Sequence, residues 1–464
     1  MDARRLGGLA AAALLLAACG GGTATPTPAP TTGSTTGSAT GSASPSPGGP
    51  SPSGAPTASP TPTPTPTPTA SAAAWPAPAL PAGAVTARAE TVADDLDVPW
   101  GLAPLPDGRL LVSLRDAARL VVVDPASGDV ADVGGPGAER LAAETVPLGE
   151  GGLLGVAVAP TGAGAGGAAT PDAGVAPARD DAVTVVVYRT GADDNAVLTG
   201  ALHLGGAAPR LDRLATVLDG IPSAANHDGG QVAFGPDGHL WVTTGDAGER
   251  GAAQDPGSLA GKVLRVTLDG DPAPGNPTAG SPVWSRGHRN VQGIGWDPAG
   301  RAFASEFGQD TWDELNLLVP GGDHGWPDVE GRAGGGGSPA VPGTSLPETV
   351  DGRVQPLATW ATDEASPSGL AVTPDAVYLA GLRGERLWRV PFDVEPGRAP
   401  STDPAAAPGL GEPQALLDGE HGRLRAVAAA GEGALWVLTN NTDGRGDPRA
   451  GDDRLLRVTL GPAG

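Results

Sequence analysis

The stretch "QVAFGPDGHLWVTTGD", Gln231 to Asp246, decides the fold. Apolar and polar residues alternate on both sides of a Pro-Asp-Gly turn, and aromatic and β-branched residues are frequent. Such alternation is typical of half-buried strands, and Asp-Gly is a turn that joins two antiparallel strands. The stretch therefore predicts a β-hairpin.

The same pattern recurs along the chain. An apolar run, usually a turn resembling Pro-Asp-Gly, and a second apolar run follow one another six times, about 65 residues apart on average. The six segments begin at Gly101, Gly155, Gln231, Gly293, Gly369 and Ala426. Each interval has room for four strands and a loop, and no long helical periodicity interrupts the series. This repetition predicts an all-β fold, a six-bladed β-propeller.

A further strand-like run follows each hairpin. These runs begin at Arg119, Ala182, Lys262, Asp313, Arg386 and Leu455. The segment "ARAETVADDL", ahead of the first repeat, is expected to pair with the last blade as its outer strand and so close the ring. Two low-complexity insertions, after Pro160 and after Glu330, are expected on the surface.

The N-terminal region has a different composition. Residues 1–18 combine two arginines with a short apolar run and predict a signal peptide. The run ends in "LAAC", which resembles the lipobox of bacterial lipoproteins and predicts a lipid on Cys19, the only cysteine. An ordinary cleaved signal with an incidental cysteine is the alternative. Residues 19–83, rich in Pro, Thr, Ser and Gly, are expected to form a disordered tether to a propeller domain at 84–464.

Charge and motifs exclude several functions. Asp and Glu number 52 against 29 Lys and Arg, and the net charge of −23 argues against a nucleic-acid ligand. The sequence contains no H-E-x-x-H, no Cys/His zinc spacing and no G-x-S-x-G. Arginines cluster in "SRGHRN" and "GRLR", where guanidinium groups would suit a ligand carrying carboxylates or would pair with surface acids.

A histidine and an aspartate flank the quoted hairpin. His227 lies just before its first strand and Asp246 just after its second. The loops at the two strand ends are therefore expected to face the same mouth. A carboxylate that fixes the tautomer of an imidazole is a common arrangement for a general base. A buried histidine held by any acceptor fits the same residues, and the residues alone leave both interpretations open.

Seven blocks in order along the chain carry a family resemblance. They are "PWGLAPLPDG", "GEGGLLGVAVAP", "NHDGGQVAFGPDGHLWVTTGDAG", "LAGKVLRVTLDG", "GHRNVQGIGWDPAG", "SEFGQDTWDELNLLVPGGDHGWPDVEG" and "GRLRAV". Over roughly Leu96 to Leu460 the chain resembles the soluble quinoprotein glucose dehydrogenase and aldose sugar dehydrogenase family, which includes sorbosone dehydrogenase-like proteins. The resemblance implies a six-bladed propeller that oxidises sugars with pyrroloquinoline quinone (PQQ), held by calcium and arginines.

The resemblance also implies roles for single residues. His227 corresponds to the general base and Asp246 to the carboxylate that orients it, and Arg289 is placed at both the catalytic centre and the cofactor. The expected cofactor contacts are Glu150, Arg289, Asn290, Arg383, Arg423, Arg425 and Asn440. Three of these depart from the glucose dehydrogenase pattern, in which lysine, glutamine and aspartate stand at positions 383, 150 and 440. Glu150 beside an anionic cofactor would need an arginine partner or a raised pKa.

The resemblance implies a metal site and a substrate mouth within the block "SEFGQDTWDELNLLVPGGDHGWPDVEG". Gly308 and Gln309 match the residues whose carbonyl oxygens hold the PQQ-linked calcium in the family. Asp313 matches a further active-site carboxylate, expected at the substrate mouth, and Trp312, Trp326 and His324 either shape the mouth or only pack. Whether a second, structural calcium binds near Glu314 is left open by the sequence.

Together these features predict an exported propeller, anchored by lipid alone to the outer face of the bacterial cytoplasmic membrane or in the cell envelope. It would oxidise an aldose to its lactone and pass electrons to an external acceptor, as a monomer or homodimer. One alternative is a non-catalytic propeller that binds a glycan or a protein. The other is a calcium-dependent lactonase, which would need carboxylate and Asn side chains around its metal.

Overall fold

The computed structural model of the protein describes residue 80 and residues 83–160, 182–206, 208–334, 348–393, 409–431 and 433–463. The predicted signal peptide, Cys19, nearly all of the tether and most of both insertions lie outside these residues. No helix within the described ranges is long and apolar enough to cross a membrane.

Six antiparallel sheets, numbered here as blades 1 to 6 along the chain, account for most of the strands. From the inner strand outwards, blade 1 contains Pro99–Pro104, Leu110–Leu114, Arg119–Val123 and Val130–Asp132. Blade 2 contains Leu153–Val158, Ala182–Thr190, Asn195–His203 and Ala215–Ile221, with Arg210–Leu211 beside the third strand. Blade 3 contains Val232–Phe234, Leu240–Thr243, Lys262–Val266 and Val283–Arg286.

The second half of the chain repeats this order. Blade 4 contains Val291–Trp296, Ala302–Glu306, Trp312–Leu318 and Ala358–Ala361. Blade 5 contains Pro367–Val372, Ala376–Gly381, Leu387–Pro391 and Gln414–Leu416. Blade 6 contains Leu424–Ala429, Ala434–Thr439, Leu455–Pro462 and, as its outer strand, Val85–Ala93.

The six blades form a closed ring. Each inner strand contacts the inner strands of the blades before and after it, and blade 6 contacts blade 1. The outer strand of blade 6 comes from the start of the domain and pairs antiparallel with its end, from Val85 opposite Pro462 to Ala93 opposite Leu455. The predicted six-bladed propeller, closed by the segment ahead of the first repeat, is confirmed.

Apolar side chains fill the space between neighbouring blades. A buried cluster lies at each of the six blade-to-blade interfaces of the described chain. Tryptophans on strands contribute to these clusters. The ring centroids of Trp241 in blade 3 and Trp296 in blade 4 are 5.5 Å apart, and those of Trp388 in blade 5 and Trp360 in blade 4 are 5.7 Å apart. Burying one such large side chain contributes about 2–3 kcal/mol, so these interfaces stabilise the ring.

A few short elements lie outside the blade pattern. They are the helix Pro136–Glu144, the 3₁₀ helix Arg250–Ala253 and the hairpin formed by Thr349–Val350 and Arg353–Val354. At the start of the domain, Leu80 is buried in the core between blades 5 and 6, four residues before the expected boundary.

The topology brings many loops to one end of the propeller. Within a blade the first two strands are antiparallel, so the loop that enters the inner strand and the loop that leaves the second strand share the same end. His227 and Asp246 lie in two such loops of blade 3, as the sequence predicts.

Candidate active site

A cavity of about 390 Å³ opens at this end of the propeller. Its wall consists of Glu150, His227, Arg289, Asn290, Phe307, Gly308, Gln309, Asp313, Thr362, Ser366, Leu382, Arg383, Arg423 and Arg445. Loops of blades 2 to 6 supply these residues, except Asp313, which lies near the start of the third strand of blade 4. Four of them are arginines and two are acids, so the wall carries an excess of positive charge in a strongly acidic protein.

His227 lies between a carboxylate and a guanidinium. Its Nδ1 is 2.7 Å from Oδ1 of Asp246, and its Nε2 is 2.7 Å from a terminal nitrogen of Arg289. Because a guanidinium only donates hydrogen bonds, Nε2 must accept. The ring proton is therefore on Nδ1, where Asp246 accepts it, and Nε2 keeps the lone pair that a base needs.

The Asp246 carboxylate is fully buried and saturated with donors. Oδ1 also accepts the backbone N–H of Gly248 at 2.8 Å, and Oδ2 accepts the indole N–H of Trp326 at 2.8 Å. Burial alone would raise the pKa of Asp246, but the hydrogen bonds from His227, Gly248 and Trp326 outweigh it and hold the pKa below its usual value. Asp246 is therefore an anion aimed at the imidazole.

The backbone of His227 adopts an uncommon left-handed conformation, with φ of 63°. Its N–H donates to Oε2 of Glu150 at 2.9 Å, and its carbonyl accepts the N–H of Ala247 at 3.1 Å. A Cβ on Gly245 would lie 1.9 Å from this carbonyl oxygen, so only glycine lets the two loops approach. These contacts hold the strained residue in place.

The arginines of the site divide into two classes. Arg423 pairs with Asp443 at 2.8 Å, and Arg445 pairs with Glu150 at 2.9 Å. Three further arginines have no carboxylate within 4 Å among the described residues. Arg289 and Arg383 belong to the cavity wall, and Arg425 lines a smaller cavity that adjoins it. The site thus presents positive charge that the described part of the protein does not neutralise.

Arg425 is the most deeply buried of these three. Its guanidinium lies 3.9 Å from the ring centroid of Trp100 and donates to Oε1 of Gln292 at 2.8 Å. Burial lowers the pKa of Arg425 to about 9. It lines a narrow extension of about 30 Å³ below the main cavity, together with Asn440, whose Oδ1 is buried without a partner among the described residues.

Of the two alternatives predicted for Glu150, an arginine partner or a raised pKa, the structure contains the arginine partner. One oxygen accepts from Arg445 and the other accepts the N–H of His227. Burial would raise the pKa of Glu150, but these two donors lower it overall, so the carboxyl is ionised rather than protonated. Arg445 lies 295 positions away in the loop after the second strand of blade 6.

Gly308 and Gln309 lie in a loop whose N–H groups donate to two carboxylates. Oε1 of Glu330 accepts the N–H groups of the four residues from Gln309 to Trp312 at 2.7–3.0 Å, and Oδ1 of Asp313 accepts that of Gly308 at 2.9 Å. No hydrogen bond from a described residue reaches the carbonyl oxygen of Gly308 or Gln309. Both residues line the cavity, so these oxygens are free to bind a cation.

The sequence of this propeller matches one family over most of its length. The family model for Glucose / Sorbosone dehydrogenase matches residues 96–457. The chain belongs to the glucose/sorbosone dehydrogenase family. The resemblance predicted from the sequence blocks is confirmed. The matched region begins just after the closing strand Val85–Ala93 and ends within Leu455–Pro462, the third strand of blade 6.

Named relatives agree with this family assignment. The PQQ-bound form of aldose sugar dehydrogenase from Streptomyces coelicolor has a similar structure, with 46% sequence identity and a TM-score of 0.67, covering 82% of this chain and all of that one. Aldose sugar dehydrogenase YliI of Escherichia coli is 29% identical over 81% of this chain and 94% of its own length. Quinoprotein glucose dehydrogenase B of Acinetobacter calcoaceticus is 35% identical over 26% of this chain and 30% of its own length.

Most residues predicted for the site of this family member lie together. The main cavity or its narrow extension is lined by His227, Arg289, Glu150, Asn290, Arg383, Arg423, Arg425, Asn440, Gly308, Gln309 and Asp313. The cavity wall does not include Asp246, Trp312 or Trp326. Asp246 and Trp326 lie behind His227, whereas the ring of Trp312 covers Gly331.

Sequence reasoning missed other residues of the site. Arg445, Asp443 and Trp100 contact the predicted residues Glu150, Arg423 and Arg425. Trp100 lies at the start of a predicted inner strand at the mouth end, a signal that the sequence offered, whereas Asp443 and Arg445 lie in a loop without such a signal.

Asp228, next to the predicted base, makes stability depend on pH. Burial raises the pKa of its carboxyl to about 6, and Oδ2 has no partner among the described residues. Because the folded state binds this proton more tightly than the unfolded state, the stability it contributes is present below pH 4 and is lost as the pH rises through 6. Asp228→Asn should therefore raise the free energy of unfolding by up to about 3 kcal/mol at pH 8, but by only about 1 kcal/mol at pH 4.5.

Urea unfolding of both proteins at the two pH values measures this difference. Asp219→Asn, at an exposed carboxyl, is the matched control. An equal change at pH 4.5 and pH 8 for Asp228→Asn would contradict the prediction.

Proposed function

We propose that the protein oxidises an aldose to its lactone, using PQQ and calcium, and passes the electrons to an external acceptor. Family membership supports sugar dehydrogenation, and relatives are described as PQQ-bound or quinoprotein enzymes. The observation that carries the proposal is the set of unneutralised arginines around a cavity that also contains His227. PQQ has three carboxylates, and guanidinium groups bind carboxylates with two parallel hydrogen bonds.

The residues present fit this cofactor. Arg425 is a buried cation with no carboxylate partner among the described residues, and an unpaired buried charge is costly unless a ligand compensates it. Arg289 and Arg383 would supply further positive charge, Arg423 further N–H donors beside its pair with Asp443, and Asn290 and Asn440 amide groups. Glu150 is compatible with an anionic ligand because Arg445 neutralises it.

The residues also fit a calcium ion bound to the cofactor. Calcium accepts backbone carbonyl ligands, and those of Gly308 and Gln309 lack protein donors among the described residues. No group of three or more His, Cys, Asp or Glu side chains in the described chain is arranged to hold a metal. The proposed site therefore depends on carbonyl oxygens and the cofactor, unlike the carboxylate-rich site that a lactonase would need.

The protein's own residues would prepare the sugar for oxidation. Nε2 of His227 accepts the proton of the anomeric hydroxyl, after its hydrogen bond from Arg289 opens. Asp246 stabilises the imidazolium that forms. As the O–H bond breaks, the anomeric carbon loses a hydride and the C–O bond becomes the lactone carbonyl, so two electrons leave the sugar. Bound PQQ supplies the two-electron acceptor and calcium the Lewis acid that polarises it.

The remaining wall suits a polyol. Asp313, Thr362 and Ser366 offer polar side chains to the same cavity as His227, whereas Phe307 and Leu382 offer apolar surface. Burial raises the pKa of Asp313 to about 7, and its carboxyl is held by the N–H groups of Gly308 and Ser366. Sugar hydroxyls would bind between these groups.

The direct test is dye reduction by the purified protein against a panel of aldoses, with PQQ and Ca²⁺ added singly and together. We expect turnover only with both, loss on addition of a calcium chelator, and recovery with excess Ca²⁺. PQQ binding without turnover on any aldose would reject the substrate assignment. Failure to bind PQQ would reject the enzyme proposal and favour the propeller that binds a glycan or a protein.

Arg425→Met is expected to weaken PQQ binding by about 10- to 100-fold, because a hydrogen bond from a charged donor contributes about 1.5–3 kcal/mol. Methionine keeps the apolar contact with Trp100 while removing the charge. Calorimetric titration of PQQ into each protein in the presence of Ca²⁺ measures the affinity. The control is Arg386→Met, at a half-buried arginine that pairs with Asp418 outside the cavity. Equal affinity for the two variants would contradict the role of Arg425.

Export and a lipid on Cys19 remain part of the proposal. They would place the domain outside the cytoplasmic membrane, where an aldose and an electron acceptor can both reach the mouth. A monomer and a homodimer are both compatible with it.

A further inference from the structure

Trp326 contacts the proposed catalytic pair from behind. Its side chain is buried, and its indole N–H donates to Oδ2 of Asp246 at 2.8 Å. The other oxygen of that carboxylate accepts from Nδ1 of His227 at 2.7 Å. A continuous path of hydrogen bonds therefore runs from the indole through the carboxylate to the imidazole.

Trp326 is itself held in place from several segments. Its backbone N–H donates to the carbonyl of Gly287 at 3.0 Å, and its own carbonyl accepts from the Gln254 side chain at 2.8 Å. The guanidinium carbons of Arg250 and Arg289 lie 4.9 and 5.6 Å from the indole ring centroid. These contacts fix the direction in which the indole N–H points.

The Asp246 carboxylate depends on this donor. Two of its three neighbouring donors, His227 and Gly248, contact Oδ1, and Trp326 is the one that contacts Oδ2 among the described residues. The side chain is fully buried, so solvent does not reach Oδ2 to replace the indole. Without the indole N–H, Oδ2 would have no donor among the described residues, and only the two contacts at Oδ1 would orient the carboxylate.

We propose that Trp326 is a positioning residue, which anchors the second oxygen of Asp246 so that the first keeps the proton of His227 on Nδ1. Its catalytic consequence rests on the proposed sugar oxidation, whereas its effect on the imidazole does not. A tryptophan that only filled space would not need its N–H. The sequence analysis offered Trp326 as a residue of the substrate mouth or of the packing; the structure assigns it this task behind the base.

Trp326→Phe removes the N–H and keeps an aromatic ring. Trp312→Phe is the matched control, since Trp312 lies half-buried 14 positions earlier and its ring covers Gly331 instead. A second variant carries 3-benzothienylalanine at position 326, which retains the bicyclic shape without the N–H. This variant separates the hydrogen bond from packing if the phenylalanine variant folds poorly.

The first readout is NMR of the protein without PQQ. The Nδ1–H proton of His227 should resonate far downfield, identified by its loss in His227→Gln. We expect it to shift upfield and to exchange with water at least 10-fold faster in both variants at position 326, and to stay unchanged in Trp312→Phe. Unchanged resonances in the position 326 variants would overturn the proposal.

The second readout is dye reduction with PQQ and Ca²⁺. Loss of a residue that orients a metal ligand typically costs 10- to 100-fold, and by analogy we expect kcat to fall by about this factor while KM changes less than about 3-fold. An unchanged kcat in an active protein would overturn the catalytic part of the proposal. If no protein reduces dye but the NMR changes occur, the proposed function fails and the positioning contact stands.

Discussion

Replacing His227 by glutamine is expected to lower kcat by about 10³-fold, because a positioned general base contributes about 10²- to 10⁴-fold. The amide can still accept the hydrogen bond from Arg289, so the arginine keeps a partner. It lacks a nitrogen basic enough to take the sugar's proton. Steady-state dye reduction at saturating aldose measures the loss.

The same variant should bind PQQ as tightly as the original protein, because the unpaired arginines are untouched. The control is His421→Gln, which changes a histidine in the loop entering blade 6, at the same end of the propeller but outside the cavity wall. Loss of PQQ affinity in His227→Gln would show that the histidine supports the site rather than the chemistry. A kcat within a few-fold of the original would exclude His227 as the base.

The ring could be predicted from the sequence because its signals are local. Turn residues and alternation mark each hairpin, as at Gln231 to Asp246, and five of the six repeats have their turn between the first two strands. The closing strand Val85–Ala93 was predictable because a propeller needs one strand more than its last repeat supplies. The helix Pro136–Glu144 is only nine residues long, too short for its period to stand out from the connection between blades.

The site was predictable as a set of residues, but not in its contacts. The sequence left Glu150 with an arginine partner or a raised pKa, and it could not identify the partner, because Arg445 lies 295 positions away in an exposed loop of glycine and aspartate with no pattern of its own. Trp326 lies in similar loop-like sequence. The direction of its indole depends on contacts with Gly287 and Gln254 that only the folded chain creates.

Replacing Asp246 by asparagine should lower kcat about as much as removing the histidine, roughly 10³-fold. The reason is that neither orientation of the amide fits. If the amide oxygen faces His227, the NH₂ group meets the indole N–H of Trp326, and two donors oppose each other. If the amide turns round, its NH₂ group faces Nδ1 and drives the ring proton to Nε2. The N–H groups of Nε2 and Arg289 would then oppose each other.

This conflict makes a second variant informative. In Asp246→Asn combined with Trp326→Phe, the NH₂ group faces an apolar ring, the amide oxygen again accepts from Nδ1, and Nε2 keeps its lone pair. We therefore expect the double variant to have a kcat about 10-fold higher than Asp246→Asn alone, although Trp326→Phe alone lowers kcat. Comparison of kcat across the four proteins of this cycle, with PQQ affinity measured in each, tests the argument. If the two losses simply multiply, the indole and the carboxylate act independently, and the hydrogen bond between them does not set the tautomer of His227.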